Sequence, residues 1–231
     1  MKTIKKILSL IFLIILIIIT LIGLNGYKMY KNAIENKPVI ERINEIKNIE
    51  NYTTLNDIPL YLKNAVIAVE DHRYYEHKGI DLISTTKAIF TNLKQKELVT
   101  GGSSITQQLA KNMYFSQEKT FSRKFAEIFI VSYLEENLSK DEILELYLNT
   151  IYYGNGYYGI GDAAIGYFNK KPQDLSINEA TIIAGLPNAP SAYSLTEHKD
   201  LAKKRQQQVL ESMVKYKYIT EKEMNEILKE D

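Results

Sequence analysis

An unbroken apolar run near the N-terminus constrains the structure of this chain more than any other feature. Residues 7–24 read ILSLIFLIILIIITLIGL, with no charge and only Ser9 and Thr20 as polar members. As a helix rising about 1.5 Å per residue, the run spans roughly 27 Å, close to the thickness of a bilayer's hydrocarbon core. A segment this long and apolar on every face suits lipid better than a small protein core. The sequence therefore predicts one transmembrane helix at residues 7–24.

The charges that flank this run predict its orientation. Lys2, Lys5 and Lys6 precede it, and no acidic residue occurs among the first 24. Under the positive-inside rule, we expect residues 1–6 to be a cytoplasmic leader and the rest of the chain to lie outside. A cleaved signal peptide is the alternative, but its apolar region is usually about 7–15 residues long and ends at a small-residue cleavage site, which is absent here. We therefore expect an uncleaved, single-pass anchor.

Overall composition excludes several classes of function. Lys and Arg number 29 against 28 Asp and Glu, so the net charge of +1 argues against a partner such as bulk nucleic acid. The absence of cysteine excludes disulfides, thiolate nucleophiles and cysteine-based metal centres. The three histidines are scattered along the sequence, and we predict no protein-held metal site.

The pattern after the anchor predicts a mainly α-helical domain. Residues 25–49 are polar and contain Pro38, which is typical of a membrane-proximal stalk, and residues 50–231 are expected to form the folded domain. Helices are predicted from Pro59 to Glu70 and over residues 81–94, 105–113 and 121–137. Three capping-box patterns each precede an apolar-periodic run, and they start at Ser139, Ser176 and Thr220.

The first segment that could carry chemistry is residues 65–79, AVIAVEDHRYYEHKG. An apolar helix ends there on two adjacent carboxylates, Glu70 and Asp71, followed by an aromatic-rich turn. A carboxylate at a partly buried helix end suits a general base. The alternative is a structural helix end whose acids pair with Arg73 and Lys78.

The second segment is residues 101–112, GGSSITQQLAKN. A glycine pair leads into a helix N-terminus rich in hydroxyls and amides, where exposed N–H groups and Lys111 favour an anion. The spacing matches neither a P-loop nor a dinucleotide-binding loop. The alternative is an ordinary N-cap at Ser103 or Ser104, with Gln107 and Gln108 on a solvated face.

The third segment places Arg123 and Lys124 four and three residues before Glu127. On a helix both cations reach the carboxylate, and together with Lys119 they form a basic patch able to hold a phosphate. The alternative is an exposed, salt-bridged helix face.

In this order the three segments resemble the motifs of the family 51 glycosyltransferases, the peptidoglycan glycosyltransferases. The first is similar to E-D-x-x-F-x-x-H-x-G, the second to G-x-S-[ST]-I-T-Q-Q-x-x-K-N and the third to R-K-x-x-E. The resemblance covers roughly residues 50–225. It departs mildly from the family pattern, with Tyr74 for Phe, Ser104 for Thr and Asn169 for Gly, and it retains both glutamates.

The resemblance implies a lysozyme-like helical glycosyltransferase domain at the outer face of the bacterial cytoplasmic membrane. Its expected reaction polymerises lipid II into β-1,4 glycan strands, with inversion at the MurNAc anomeric carbon and release of undecaprenyl diphosphate. The expected partners are lipid II, the growing strand, membrane lipids, and transpeptidases or other proteins of the divisome or elongasome. A divalent cation, Mg or Mn, is allowed but not obligatory. Because bifunctional relatives carry a transpeptidase domain after this region, the chain is expected to be the monofunctional form.

The resemblance also implies residue roles. Glu70 is expected to be the general base, and Glu127 to assist at the donor side. Residues 83–100 are expected to form a mobile, membrane-facing flap, the alternative being an amphipathic core helix. The residues expected to bind substrate sugars and phosphates are Asp71, Ser103, Ser104, Thr106, Gln107, Gln108, Lys111, Asn112, Lys119, Arg123 and Lys124.

Two other functions stay open at this stage. A lysozyme-like lytic enzyme would also use two carboxylates in a small helical domain. The basic cluster argues against it, because cleavage of finished glycan releases no diphosphate. A non-enzymatic scaffold of the divisome is the second alternative, and the presence of both Glu70 and Glu127 argues against that.

Overall fold

The fold was obtained as a computed structural model, which describes residues 2–95, 101–115 and 120–230. Across these ranges the chain is mainly α-helical, with one short hairpin. The helices and strands are α1 (Lys2–Asn36), α2 (Val39–Lys47), α3 (Leu60–Glu70), α4 (Leu82–Gln95), α5 (Ile105–Tyr114), α6 (Phe121–Asn137), α7 (Lys140–Leu148), β1 (Tyr152–Gly154), β2 (Tyr157–Tyr158), α8 (Ile160–Phe168), α9 (Ile177–Gly185), α10 (Lys199–Lys215) and α11 (Glu221–Ile227).

The apolar N-terminal run forms the first half of a long, straight helix. Among the described residues, α1 is the one helix long and apolar enough to cross a membrane, by length and composition, with a mean hydropathy of 3.3 in its most apolar window. The side chains of that window are not buried against the rest of the protein. This arrangement is compatible with a single-pass anchor. The helix continues without a break beyond residue 24 and ends at Asn36.

The second half of α1 packs against α6. A Cβ on Gly26 would lie 2.5 Å from the Cβ of Phe125 and 2.7 Å from the carbonyl oxygen of Ser122, so only glycine permits this approach. One turn further on, the ring of Tyr30 stacks on Phe129 with centroids 5.0 Å apart. The apolar helix is therefore in direct contact with the helix that carries the third motif.

The hydrophobic core begins earlier in the chain than the residue-50 boundary expected from the sequence. Val39, Ile43 and Ile46 of α2 are buried and belong to the same core as the later helices. Their spacing of four and three residues places them on one face of the helix. Pro38, as the N-cap, starts α2 after the end of α1. Part of the predicted stalk is therefore a packed helix.

Helices α3, α9 and α10 pack against one another, and α5 lies against both α6 and α7. Five apolar residues of α3 are buried, including Leu62, Ala65 and Val66. This burial fixes the end of α3, where Glu70 stands, beside α5 and α10. The predicted capping boxes at Ser139, Ser176 and Thr220 are confirmed, since each side chain accepts from the backbone N–H three residues later.

Candidate active site

Three adjoining cavities around α5 form one groove. Ser103 lines the first two cavities, and Gln108 and Lys111 line both the first and the third. The first cavity runs towards the N-terminus of α6, and the second towards α10. The third runs towards the hairpin, where Tyr152 and Tyr158 line it. The term "groove" refers below to these three cavities together.

Glu70 stands in the second cavity with its two carboxylate oxygens in different surroundings. Its Oε2 accepts a hydrogen bond of 2.9 Å from Nε2 of Gln108, whose Oε1 in turn accepts one of 3.2 Å from the hydroxyl of Tyr147. Burial, and then the charge of Glu70, raise the pKa of Tyr147 well above its usual value, so this hydroxyl keeps its proton and orients the amide. Within the described part of the chain, Oε1 accepts no hydrogen bond. This oxygen is therefore available to accept a proton.

Asp71, the next residue, holds the local backbone. Its Oδ2 accepts from the backbone N–H of Ile105 at 3.0 Å, and its Oδ1 lies 2.9 Å from Nε2 of His77. Ser104 caps α5 in a capping box with Gln107 and donates to the carbonyl of Gly79. These contacts fix the start of α5 against the end of α3, which places Gln108 on Glu70.

Glu127 is fully buried, and cations engage both of its oxygens. Arg123 Nη1 donates to Oε1, and Lys124 Nζ lies 2.7 Å from Oε2. Lys124 also donates to the Ser103 hydroxyl at 3.0 Å, which links α6 to the loop before α5. Because Arg123 is also buried, this cluster is not an exposed salt-bridged helix face.

Lys111 adds a third cation to the same cavity as Arg123 and Lys124. Burial lowers its pKa, as does the positive charge of Arg123, while the carboxylates of Glu127 and Glu70 oppose the shift. Three cations around one cavity create a local positive potential that suits a diphosphate. Lys119, which was expected to belong to this patch, lies outside the described residues.

The remaining predicted binding residues divide into two groups. Asn112 lines the third cavity of the groove, beside Lys111. Thr106 instead is fully buried, and its hydroxyl donates to Oε1 of Glu135 at 2.6 Å. This hydroxyl has a structural partner, whereas the side chains of Asn112 and Lys111 face the groove.

Sequence reasoning missed three features around Glu70. Arg205 of α10 places Nη2 3.7 Å from Oε1 of Glu70. Tyr147 orients Gln108, and the rings of His72 and Tyr216 stack 4.2 Å apart at the edge of the second cavity. All three depend on contacts between distant segments, and the local sequence gives no signal for them.

One cluster of potential metal ligands occurs in the described ranges. Single ligand atoms of Asp71, His77 and Asp81 all lie within 4.8 Å of one another. Asp71 is already bound to Ile105 N–H and His77, and Asp81 accepts from the backbone N–H groups of Ile83 and Ser84 at the start of α4. We interpret the cluster as a structural network, because its oxygens are engaged by N–H donors that a cation would have to displace.

The fold and the groove define a class of protein: a helical domain with a buried carboxylate beside a buried cationic cluster. This arrangement suits group transfer from an anionic leaving group. Comparison with known proteins narrows this class. The sequence pattern of the family described as Transglycosylase matches residues 36–214. The chain belongs to this family.

Curated relatives agree with this membership. The chain is 46% identical over 180 residues to penicillin-binding protein 1A of Neisseria lactamica, covering 78% of this chain and 23% of that protein. It is 46% identical over 170 residues to penicillin-binding protein 1F of Bacillus subtilis (strain 168), covering 74% and 24%. A crystal structure of penicillin-binding protein 1A from Haemophilus influenzae matches with 27% identity and a TM-score of 0.46, covering 78% and 17%. The chain thus spans about a quarter of the length of the curated relatives.

Proposed function

We propose that this protein is a peptidoglycan glycosyltransferase that polymerises lipid II into β-1,4 glycan strands. The observation that carries the proposal is the pairing, in one groove, of Glu70, whose Oε1 accepts no hydrogen bond from the described residues, with the cations Lys111, Arg123 and Lys124. A glycosyl transfer from a diphosphate needs a base at the acceptor and positive charge at the leaving group. Membership of the transglycosylase family supports the same reaction.

The proposed step is a single displacement at the anomeric carbon of the donor MurNAc. The 4-hydroxyl oxygen of the acceptor GlcNAc forms the new bond to that carbon while its proton passes to Oε1 of Glu70. The bond from carbon to the phosphate oxygen breaks, and its electron pair leaves with the undecaprenyl diphosphate. Attack from the opposite face converts an α-linked donor into a β-linked product.

Glu127 acts indirectly in this scheme. Arg123 and Lys124 hold both of its oxygens, so it is poorly placed to accept a proton. We infer that it orients the two cations towards the departing diphosphate. A divalent cation, Mg or Mn, would enter with the diphosphate, because the described carboxylates of the groove are already engaged or assigned to proton transfer.

The apolar surfaces support action at a membrane. In α4, the side chains of Leu82, Ile83 and Phe90 are more than 60% exposed, and Phe121 at the start of α6 is 77% exposed. Together with α1, these residues would hold the groove at the outer face of the cytoplasmic membrane, with the leader inside. Whether residues 83–100 move as a flap stays a prediction, and residues 96–100 lie outside the described ranges. Transpeptidases that cross-link the same strands are the proposed protein partners.

The test uses the full chain in detergent with labelled lipid II, and product strands are separated by gel electrophoresis. We expect polymerisation by the wild type and its inhibition by moenomycin, the family's inhibitor. Glu70→Gln should lower the rate by about 10²–10⁴, the usual contribution of general-base catalysis, without changing the melting temperature.

Glu179→Gln is the matched control, because Glu179 caps α9 and is not among the groove-lining residues. It should polymerise at the wild-type rate. Formation of glycan strands by Glu70→Gln at a near wild-type rate would refute the assignment of Glu70 as the general base. Release of fragments from finished sacculi, without polymerisation, would favour the lytic alternative.

A further inference from the structure

Arg205 approaches the oxygen of Glu70 that Gln108 leaves open. Its Nη2 lies 3.7 Å from Oε1 of Glu70, and the two side chains are only 12% and 10% exposed. At this distance the guanidinium attracts the carboxylate but makes no direct hydrogen bond to Oε1. The oxygen is therefore held opposite a positive charge, and within the described part of the chain its lone pair accepts no hydrogen bond.

Other contacts fix the direction of the guanidinium. Nη1 of Arg205 donates to Oε1 of Gln208 at 2.9 Å, one turn further along α10. Nε points at the carbonyl oxygen of Gly185 at 3.4 Å, at the end of α9. Two of the three guanidinium nitrogens are thus held by protein oxygens, and the third faces Glu70.

Gly185 provides the space through which the side chain of Arg205 passes. A Cβ on Gly185 would lie 2.8 Å from Cγ of Arg205 and 3.4 Å from a methyl of Val209. Because α9 and α10 pack together here, such a Cβ would push the arginine stem away. The sequence AGLPNAP at residues 184–190 therefore has a role at the site although Gly185 does not line the groove.

Charged and titratable groups reach Glu70 from each helix packed around it. Lys111 contributes positive charge from α5. From α7, the hydroxyl of Tyr147 keeps its proton and donates to Gln108, whose Nε2 in turn donates to Glu70. Asp71, the next residue, is tied to His77 and Ile105. Arg205 is the member of this set that lies within ion-pair distance of Oε1. Its charge should therefore act on the Glu70 carboxylate most strongly.

We propose that Arg205 is the positioning residue for the general base: its guanidinium holds the Glu70 carboxylate in place, and Gly185 is the gap that lets the guanidinium reach that carboxylate. This inference rests on the proposed function, since it presupposes that Glu70 accepts the proton. It adds a role for α9 and α10, which the three sequence motifs do not contain.

The experiment compares Arg205→Gln, Arg205→Lys and Gly185→Ala with wild type, measuring kcat and KM for lipid II from acid to alkaline pH. Arg205→Gln should lower kcat by about 100-fold, the scale of a misplaced catalytic group, while KM changes much less. The dependence of kcat on pH should change as well, because the cation nearest to the reacting carboxylate is removed. Arg205→Lys should restore part of the rate and most of the profile.

Gly185→Ala tests the same idea without removing a charge, and it should lower kcat in the same direction by displacing Arg205. Lys204→Gln is the control, because Lys204 is exposed on the same helix and should behave as wild type. A wild-type kcat and pH profile in Arg205→Gln would overturn the inference. The inference would also be overturned if the lower kcat of Arg205→Gln were explained by a lower melting temperature while its pH profile stayed that of the wild type.

The two proposals fail in different ways. If the wild type does not polymerise lipid II, the proposed function falls. If the wild type polymerises and Glu70→Gln does not, while the variants of Arg205 and Gly185 keep the wild-type kcat and profile, only the role of Arg205 falls. Should Arg205→Gln not fold, the profiles of Arg205→Lys and Gly185→Ala decide the question.

Discussion

The buried ion pair between Arg123 and Glu127 on α6 allows contributions to stability and to catalysis to be measured separately. Replacing Arg123 with methionine keeps the apolar stem but leaves the buried Glu127 with Lys124 alone. Removing one partner of a buried pair costs about 3–5 kcal/mol. Because Lys124 still neutralises Oε2 and is 39% exposed, we expect the low end of this range, about 3 kcal/mol. For a domain of this size, this loss lowers the melting temperature by about 6–12 °C.

A second substitution separates the two roles of the pair. In Arg123→Met combined with Glu127→Met, no uncompensated charge remains in the core. The melting temperature should return to near that of the wild type, since buried pairs replaced by apolar residues of similar size are often neutral. Polymerisation should stay low, because the diphosphate has lost a cation and Lys124 has lost the carboxylate that orients it.

The assays are thermal unfolding in detergent and gel analysis of glycan strands from labelled lipid II. Lys222→Met is the matched control, since Lys222 and Glu226 form an exposed pair with the same four-residue spacing. It should change stability by less than about 0.5 kcal/mol. A wild-type melting temperature for Arg123→Met would refute the buried-pair reasoning. Polymerisation at the wild-type rate by the double variant would refute the role of the pair in catalysis.

Two further predictions concern Lys111 and the contact between α1 and α6. Burial lowers the pKa of Lys111 below 10.5. Lys111 therefore loses its charge at a lower alkaline pH than a free lysine does, and the affinity for lipid II should fall over that pH range. In Lys111→Arg the charge persists, so the rise of KM at alkaline pH should move to higher pH. A rise of KM at the same pH as in the wild type would contradict this prediction. Gly26→Ala should lower stability by about 1–3 kcal/mol, because its Cβ would lie 2.5 Å from Phe125. Gly23→Ala, whose Cβ would lie 3.8 Å from the ring of Phe125, is the control in the same melts and should not lower stability.

Local patterns predicted the features that depend on neighbouring residues. The 18-residue apolar run, the three capping boxes and the end of α3 at Glu70 follow from short-range periodicity and hydrogen bonding. In contrast, the approach of Arg205 to Glu70 depends on how α3, α9 and α10 pack, and no spacing in the sequence encodes that.

The spacing of apolar residues after Thr106 in the sequence indicates that its side chain faces the core. Thr106 lies four and seven residues before Ala110 and Met113, both of which are buried. This helical phase places Thr106 on the core face of α5, whereas Gln108 and Lys111, three residues apart, share the face towards the groove. The motif as a whole indicated binding, but the phase of the helix decides which of its members can bind.

The two glutamates of the groove differ in how closely cations approach their oxygens, and this difference supports the proposal that Glu70 is the base. Both side chains are largely buried, and both lie beside cations. The oxygens of Glu127 are each engaged by a cation, so accepting a proton would require breaking an ion pair. Glu70 has one oxygen bound to Gln108 and one that faces Arg205 at a distance too long for a hydrogen bond. Proton transfer from a sugar hydroxyl requires a carboxylate oxygen with a free lone pair, and Oε1 of Glu70 fits this requirement better than either oxygen of Glu127.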